Sequence, residues 1–215
     1  MIMATLEEIR KKVNAPSNIL SEESLDKIFA LAEEVQYKQD EPIVKLGEIN
    51  EHLFIAKEGV FRGFLFQGDK EITLYFGVEG DIVMSMRPFY KGEPSALIIE
   101  SCCDTVMLQI KKAKLMKLIS ESLEIANWVV DKSFSQFYWF EKKSTIIRGD
   151  ASERYFNLLH NRPELLQKVS LKTISSYLGM TRQSLSRLRN PNYNQKYKKD
   201  STKKNDFIKE AVSIF

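Results

Sequence analysis

Residues 170–190 read SLKTISSYLGMTRQSLSRLRN. Leu171, Ile174, Ser175 and Leu178 recur at i, i+3, i+4 and i+7, which predicts one face of a short helix. Gly179 follows, suited to the left-handed position just past a helix end. Thr181 then stands as the cap of a second helix. On that helix Leu185 and Leu188 can point back to the first, while Arg182, Gln183, Ser186 and Arg187 line the opposite face. Asn190-Pro191 ends it. The pattern is a helix-turn-helix, whose second helix offers two guanidinium groups and an amide on its open face.

Those side chains suit the edges of DNA bases. Arginine donates two hydrogen bonds to guanine O6 and N7, and glutamine pairs with adenine N6 and N7. Arg182, Gln183, Ser186 and Arg187 are therefore the expected base readers. Thr181, Ser184 and the helix start suit a phosphate, and Lys172 and Arg189 flank the motif for the same use. Lys196, Lys198, Lys199, Lys203 and Lys204 follow as a sequence-blind basic tail. The charge distribution agrees. The whole chain is nearly balanced, with 32 Lys and Arg against 29 Asp and Glu. Residues 151–215 alone hold 13 Lys and Arg against 5 Asp and Glu, and residues 1–150 hold 19 against 24. Such asymmetry points to two parts with different partners. The competing reading is a helical pair with a solvated basic face that contacts another protein.

Upstream, residues 121–147 contain no Pro or Gly and read as one helix of ~40 Å. At 100° steps Ile125, Trp128, Val129, Trp139, Phe140, Ile146 and Ile147 form a stripe, interrupted by Lys132, Gln136 and Lys143. Val130, Phe134 and Phe137 lie on a different face, with Tyr138 beside them. A helix apolar on two faces needs two partners, here its own domain and a second copy of the chain. Polar residues within such a seam can set its register. Burial in a single core is the alternative. Arg148-Gly149-Asp150 breaks the pattern where the charge changes sign. Ala151–Leu159 reads as a further helix, broken by Asn161-Arg-Pro163.

From Val35 to Ile110 the pattern is one of short strands. Glu22–Val35 is expected to be a helix capped by Ser21. His52–Lys57, Val60–Phe66, Lys70–Phe76, Asp81–Met86, Ala96–Glu100 and Thr105–Ile110 follow as short strands. Seven of the nine glycines fall between Gly47 and Gly92, as tight corners require. This predicts an antiparallel β-roll or sandwich. Lys112–Ile119 reads as one short helix. The fold class is therefore α+β. A β-roll domain occupies residues 1–120, a long connecting and dimerisation helix 121–148, and a helix-turn-helix domain with a basic tail 149–215.

Other classes are disfavoured. The apolar runs are far shorter than the ~20 residues of a membrane span. Residues 1–13 mix charges into their apolar positions and lack the core of a secretory signal. Adjacent Cys102 and Cys103 suit a reducing cytoplasm rather than a disulfide. His52 and His160 have no partners at metal spacing. No nucleophile–base set or phosphate-binding glycine loop is present, so an enzyme is not expected.

The order of β-roll, long helix and C-terminal helix-turn-helix resembles the cyclic AMP receptor protein/FNR (Crp/Fnr) family of bacterial transcription regulators, over nearly the whole chain. The strongest match is Tyr177-Leu-Gly-Met-Thr-Arg-Gln-Ser-Leu-Ser-Arg187, close to the family's G-x-[ST]-R-E-[ST]-[VL]-[ST]-R segment. The resemblance implies that Arg182, Gln183 and Arg187 read bases. It implies a homodimer on double-stranded DNA and a small-molecule effector at the roll. It adds RNA polymerase as a partner, for which the sequence shows no contact surface. Gln183 stands where many members carry Glu, which shifts the expected base preference from cytosine towards adenine. Gly47, Gly59 and Gly80-Asp81 resemble the roll's glycine corners. In nucleotide-binding members a Gly-Glu and a later Arg-[ST]-Ala hold the cyclic phosphate. Here Gly80-Asp81 and Pro94-Ser95-Ala96 stand in their place, so Gly80, Asp81, Ser95 and Ala96 are the pocket candidates. Proline offers the phosphate no donor, which argues against cyclic AMP or cyclic GMP. The short segment between Leu159 and Ser170 implies a reduced or missing wing hairpin.

Overall fold

The structure is a computed structural model. It describes the backbone of residues 5–147 and 151–190, and among these the side chains of all but 142–147 and 151. Two four-stranded antiparallel sheets face each other. The first runs β1 (Glu33–Tyr37), β8 (Thr105–Lys111), β3 (His52–Glu58), β6 (Ile82–Val83). The second runs β2 (Pro42–Val44), β7 (Ile98–Ser101), β4 (Phe61–Gln67), β5 (Lys70–Gly77).

Strand alternation sorts the apolar residues into layers. In β3, Phe54 and Ala56 point inward, where they meet Ile43, Phe61, Ile99 and Met107 between the sheets. Leu53 and Ile55 point the other way, with Leu108 and Ile110 of β8. There they pack against α1 (Leu6–Asn14), α2 (Glu22–Phe29), α3 (Lys112–Glu121) and α4 (Leu123–Ile147). Outside the second sheet, Val60 and Phe76 pack against the helices that follow: α5 (Ala151–Asn161), α6 (Leu165–Lys168), α7 (Leu171–Tyr177) and α8 (Arg182–Arg189). The roll thus carries a helical layer on each outer face.

The β4–β5 hairpin is held by two aromatic–glycine pairs. Phe61 lies opposite Gly77, and Tyr75 opposite Gly63. A Cβ on Gly63 would sit 2.1 Å from the Tyr75 ring, and one on Gly77 2.0 Å from the Phe61 ring. Only glycine leaves room for the rings to fold across the ladder.

Several expected boundaries move. The helix begun at Glu22 ends at Phe29, and residues 33–37 form β1, paired with β8 from Glu33–Gln109 to Tyr37–Thr105. Sheet pairing there overrides a weak helical pattern. Residues 81–86 shorten to the two-residue β6, and a wide turn at Arg87–Lys91 follows. The N-terminal stretch, read only as lacking a signal, is helix α1. Thr5 and Glu8 close a capping box there, and Ile9 and Val13 are buried. Between α5 and α7 lies the short helix α6. The breaks read at 148–150 and at Pro191, and the basic tail, lie outside the described residues.

The start of the long helix packs on the chain's own domain. Ile125 and Trp128 are 0% and 2% exposed in the core beneath the first sheet, with Val129 packed beside them. Half-buried Lys132 donates to the Ala15 carbonyl. These four members of the expected dimer stripe are therefore spent on the chain's own domain. Further along, Gln136 is exposed, Trp139 is half-buried and Phe140 is 49% exposed. The side chains of Lys143, Ile146 and Ile147 lie outside the described residues. The face left open carries Val130, Phe134, Phe137 and Tyr138, the last three 66–70% exposed. Trp128→Ala is expected to lower unfolding stability by ~3–5 kcal/mol through the cavity it leaves, measured by denaturant titration.

Candidate nucleic-acid interface

The helix-turn-helix is built by local rules. Ser170 caps α7, its hydroxyl accepting from the Thr173 amide at 3.2 Å. Gly179 takes φ +63° at the turn. The Met180 amide there closes on the Ser175 carbonyl at 3.0 Å. Thr181 caps α8, its hydroxyl accepting from the Ser184 amide at 3.1 Å. Buried Leu185 and Leu188 join Ile174, Leu178, Leu158 and Tyr155 in one cluster. Ser175 is buried at the helix crossing, and its hydroxyl is satisfied by the Lys172 carbonyl at 2.8 Å. Arg154 Nε donates to the Leu178 carbonyl at 2.8 Å and ties α5 to the end of α7.

With Leu185 and Leu188 inward, the other side of α8 is open. Arg182, Gln183, Ser186, Arg187 and Arg189 are all exposed. Arg182 and Ser186 border a shallow open groove of ≈ 620 Å³ with Ser170, Leu171 and Lys172. The groove thus joins two of the four expected base readers to one expected phosphate contact. Thr181 is exposed and Ser184 half-buried, and their hydroxyls lie 2.9 Å apart at the start of α8.

This helical layer is docked on the roll. Strand β5 is the edge of its sheet, so its outward amides and carbonyls need partners. Ser176 of α7 supplies one for two of them. Its hydroxyl donates to the Glu71 carbonyl at 2.6 Å and accepts from the Thr73 amide at 3.0 Å. Tyr177 packs on Phe76 with ring centroids 5.0 Å apart. Lys172 pairs with Glu71 at 3.2 Å, and Lys168 with Glu79 at 3.2 Å. Beneath them Arg62, 6% exposed, binds Glu100 at 2.8 Å and Glu71 at 2.8 Å. Sequence reasoning missed Ser176, Arg62 and Glu71. Ser176 lies off the apolar stripe of α7, and nothing local marks a partner a hundred residues away.

The junction carries a pH dependence. Burial raises the Glu71 carboxyl, but bonds and charge from Arg62 and Lys172 outweigh it and hold it below the ordinary 4.5. Burial likewise opposes backbone bonds and Lys168 at Glu79, and the balance again falls below 4.5. A carboxyl lowered on folding contributes stability above its unfolded value and loses it as pH falls through the folded one. Asp81 runs the opposite way. Burial raises it above 3.8, so its contribution is lost as pH rises through the raised value. The protection factor of the Thr73 amide, its exchange rate taken relative to the intrinsic rate at each pH, is therefore expected to fall below pH 4.5 as Glu71 and Glu79 are protonated.

The ligand-pocket candidates divide between two places. Gly80 lies against Lys12 of α1, and Asp81 beside Arg162 of the C-terminal part. The Asp81 carboxylate accepts from the Val78 amide at 2.8 Å and lies 3.6 Å from Arg162. Ser95, 3% exposed, instead shares a hydrogen bond with Ser85, their hydroxyls 2.7 Å apart. Its amide donates to the Glu48 carbonyl, its own carbonyl accepts from Gly47, and Ala96 is exposed. Ser85, not Gly80-Asp81, is thus what faces Ser95. The nearby cations are used elsewhere: Arg87 pairs with Glu93 at 2.7 Å and Lys91 lies over the Tyr90 ring. Among the described residues, the contacts of Ser95 are thus with Ser85, Leu97, Glu48 and Gly47. Burial pushes the Cys102 thiol up to about 12, so it is not a reactive thiolate at neutral pH. Among the described residues no group of three or more His, Cys, Asp or Glu gathers as a metal site would, and no helix is long and apolar enough to cross a membrane.

Residues 34–122 match the family described as the cyclic nucleotide-binding domain. Solved structures extend the likeness through the long helix into the helix-turn-helix. FixK2 from Bradyrhizobium japonicum is 22% identical, with TM-score 0.63, over 73% of this chain and 82% of that one. The chain shares the fold of that structure. The c-di-GMP-responsive global regulator CLP from Xanthomonas campestris aligns over 84% of this chain and 93% of its own, at 17% identity and TM-score 0.64. The catabolite activator protein of Thermus thermophilus aligns over 82% and 84%, at 17% identity and TM-score 0.53. No curated protein matches the sequence as a relative. The expected α+β class, with roll, long helix and helical C-terminal part, stands.

Proposed function

We propose that this chain is a cytoplasmic, homodimeric, sequence-specific DNA-binding transcription regulator, with a β-roll that responds to something other than a cyclic nucleotide. The observation that carries it is the open face of α8. Two guanidinium groups, an amide and a hydroxyl project together from a helix whose back is locked by Leu185 and Leu188. That is the arrangement a major groove accepts. The long helix supports the dimer with an exposed aromatic face of Phe134, Phe137 and Tyr138. An apolar surface of this kind marks a contact site. FixK2 and the catabolite activator protein share the fold, and CLP is named a regulator that responds to c-di-GMP.

Selection of bound duplexes from a random pool tests the reading. A two-fold dimer yields a palindromic site with half-sites ~34 Å apart. Recovery of unordered sequence alone would overturn it. Against a cyclic nucleotide stand Pro94, the closed Ser85–Ser95 pair and the Tyr75 ring folded over Gly63. Calorimetry with cyclic AMP or cyclic GMP is expected to show no saturable heat. A saturating isotherm with one site per chain would contradict this.

A further inference from the structure

We propose that Glu71, on the edge strand of the roll, masks Lys172 and so acts as an autoinhibitory contact against DNA. The proposal rests on the DNA-binding reading in one respect: Lys172 is taken as a phosphate contact. Lys172 lines the same groove as Arg182 and Ser186, yet its ammonium is paired with Glu71 at 3.2 Å. One ammonium cannot serve a carboxylate and a phosphate equally well. A duplex lying along α8 brings a phosphate towards Lys172 and competes with Glu71 for it.

The contact is built into the docking of the whole helical layer rather than being a stray surface pair. Ser176, one helical turn further along α7, is bonded to both the carbonyl of Glu71 and the amide of Thr73. It fixes the height of α7 on the strand, so the Lys172 side chain meets Glu71 in register. Glu71 is in turn held by Arg62, which is buried under the layer and braced by Glu100. The carboxylate is therefore a positioned group on the roll and Lys172 is the mobile partner, its side chain 58% exposed. Any change in the roll that shifts β5 alters how much of the time Lys172 is free. The roll thereby gains a route to DNA affinity that needs no contact with bases.

Glu71→Gln tests this in the full chain, because Arg62 keeps Glu100 and the fold is retained. Binding is measured against both the selected operator and a random duplex over a salt series. Affinity is expected to rise about two- to fivefold per protomer, the scale of an exposed ion pair. The salt dependence should steepen by about one phosphate per freed lysine. A phosphate contact is blind to sequence, so both duplexes gain alike. Lys172→Ala should weaken binding, and the gain from Glu71→Gln should vanish in the double variant. Affinity and salt slope unchanged by Glu71→Gln overturn the proposal, as does a gain that persists without Lys172. The DNA reading fails separately: if wild type does not prefer operator over random duplex, base reading is absent. A Lys172-dependent gain on random duplex would still uphold the mask.

Discussion

Arg182→Ala and Arg187→Ala should each weaken operator binding by ~1–3 kcal/mol per base that the arginine reads, and a two-fold dimer carries each change twice. Both side chains are exposed, and neither joins the cluster behind α8. The weakening should therefore come without change in circular dichroism or unfolding midpoint. It should also be confined to particular base pairs, so random-duplex affinity falls far less. Arg189→Ala provides the contrast. It stands at the end of α8 as an expected phosphate contact, and its removal should weaken all sequences alike. Equal effects of all three on every duplex would place α8 outside the groove. If the helix-turn-helix served a protein partner instead, the arginine changes would leave operator selectivity without meaning and alter partner binding only through charge.

Phe137→Asp should convert a dimer to a monomer, read by sedimentation velocity. Phe137 is 70% exposed, and Phe134 beside it 68%. A carboxylate there costs the single chain little, yet it cannot be buried unpaired in a helix seam. Operator affinity should drop by about 10²–10⁴, because two linked half-site contacts become one. The contrast with Trp128→Ala is informative. That residue faces the chain's own core, so its truncation destabilises folding itself, whereas Phe137→Asp should leave the unfolding of the monomer nearly unchanged. A dimer that survives Phe137→Asp and the double change with Phe134→Asp would place the self-contact elsewhere.

The helix-turn-helix was legible because its determinants are local. Ser170, Gly179 and Thr181 are caps and turns, and Ile174, Leu178, Leu185 and Leu188 hold the two helices by spacing alone. The strand hairpin β4–β5 was legible for the same reason, with its turn at Gln67-Gly68-Asp69. What depended on distant contacts was not. Residues 33–35 continue the helical pattern, and only pairing with β8 makes them strand. Ile125 and Trp128 lie on the stripe of Trp139 and Phe140, and only packing against α1, α2, α3 and the first sheet decides that the first two are buried. Ser85 gave no sign of facing Ser95, since a lone serine before a turn has no pattern. Ser176 and Arg62 became visible only when α7 was seen lying along β5.

The most direct measurement is the affinity of the full chain for its selected operator and for a scrambled duplex of equal length, across a salt series. The operator is expected to be bound at least ~10³-fold more tightly at physiological salt, with both affinities falling steeply as salt rises. Equal, weak and salt-sensitive binding to the two duplexes would contradict it.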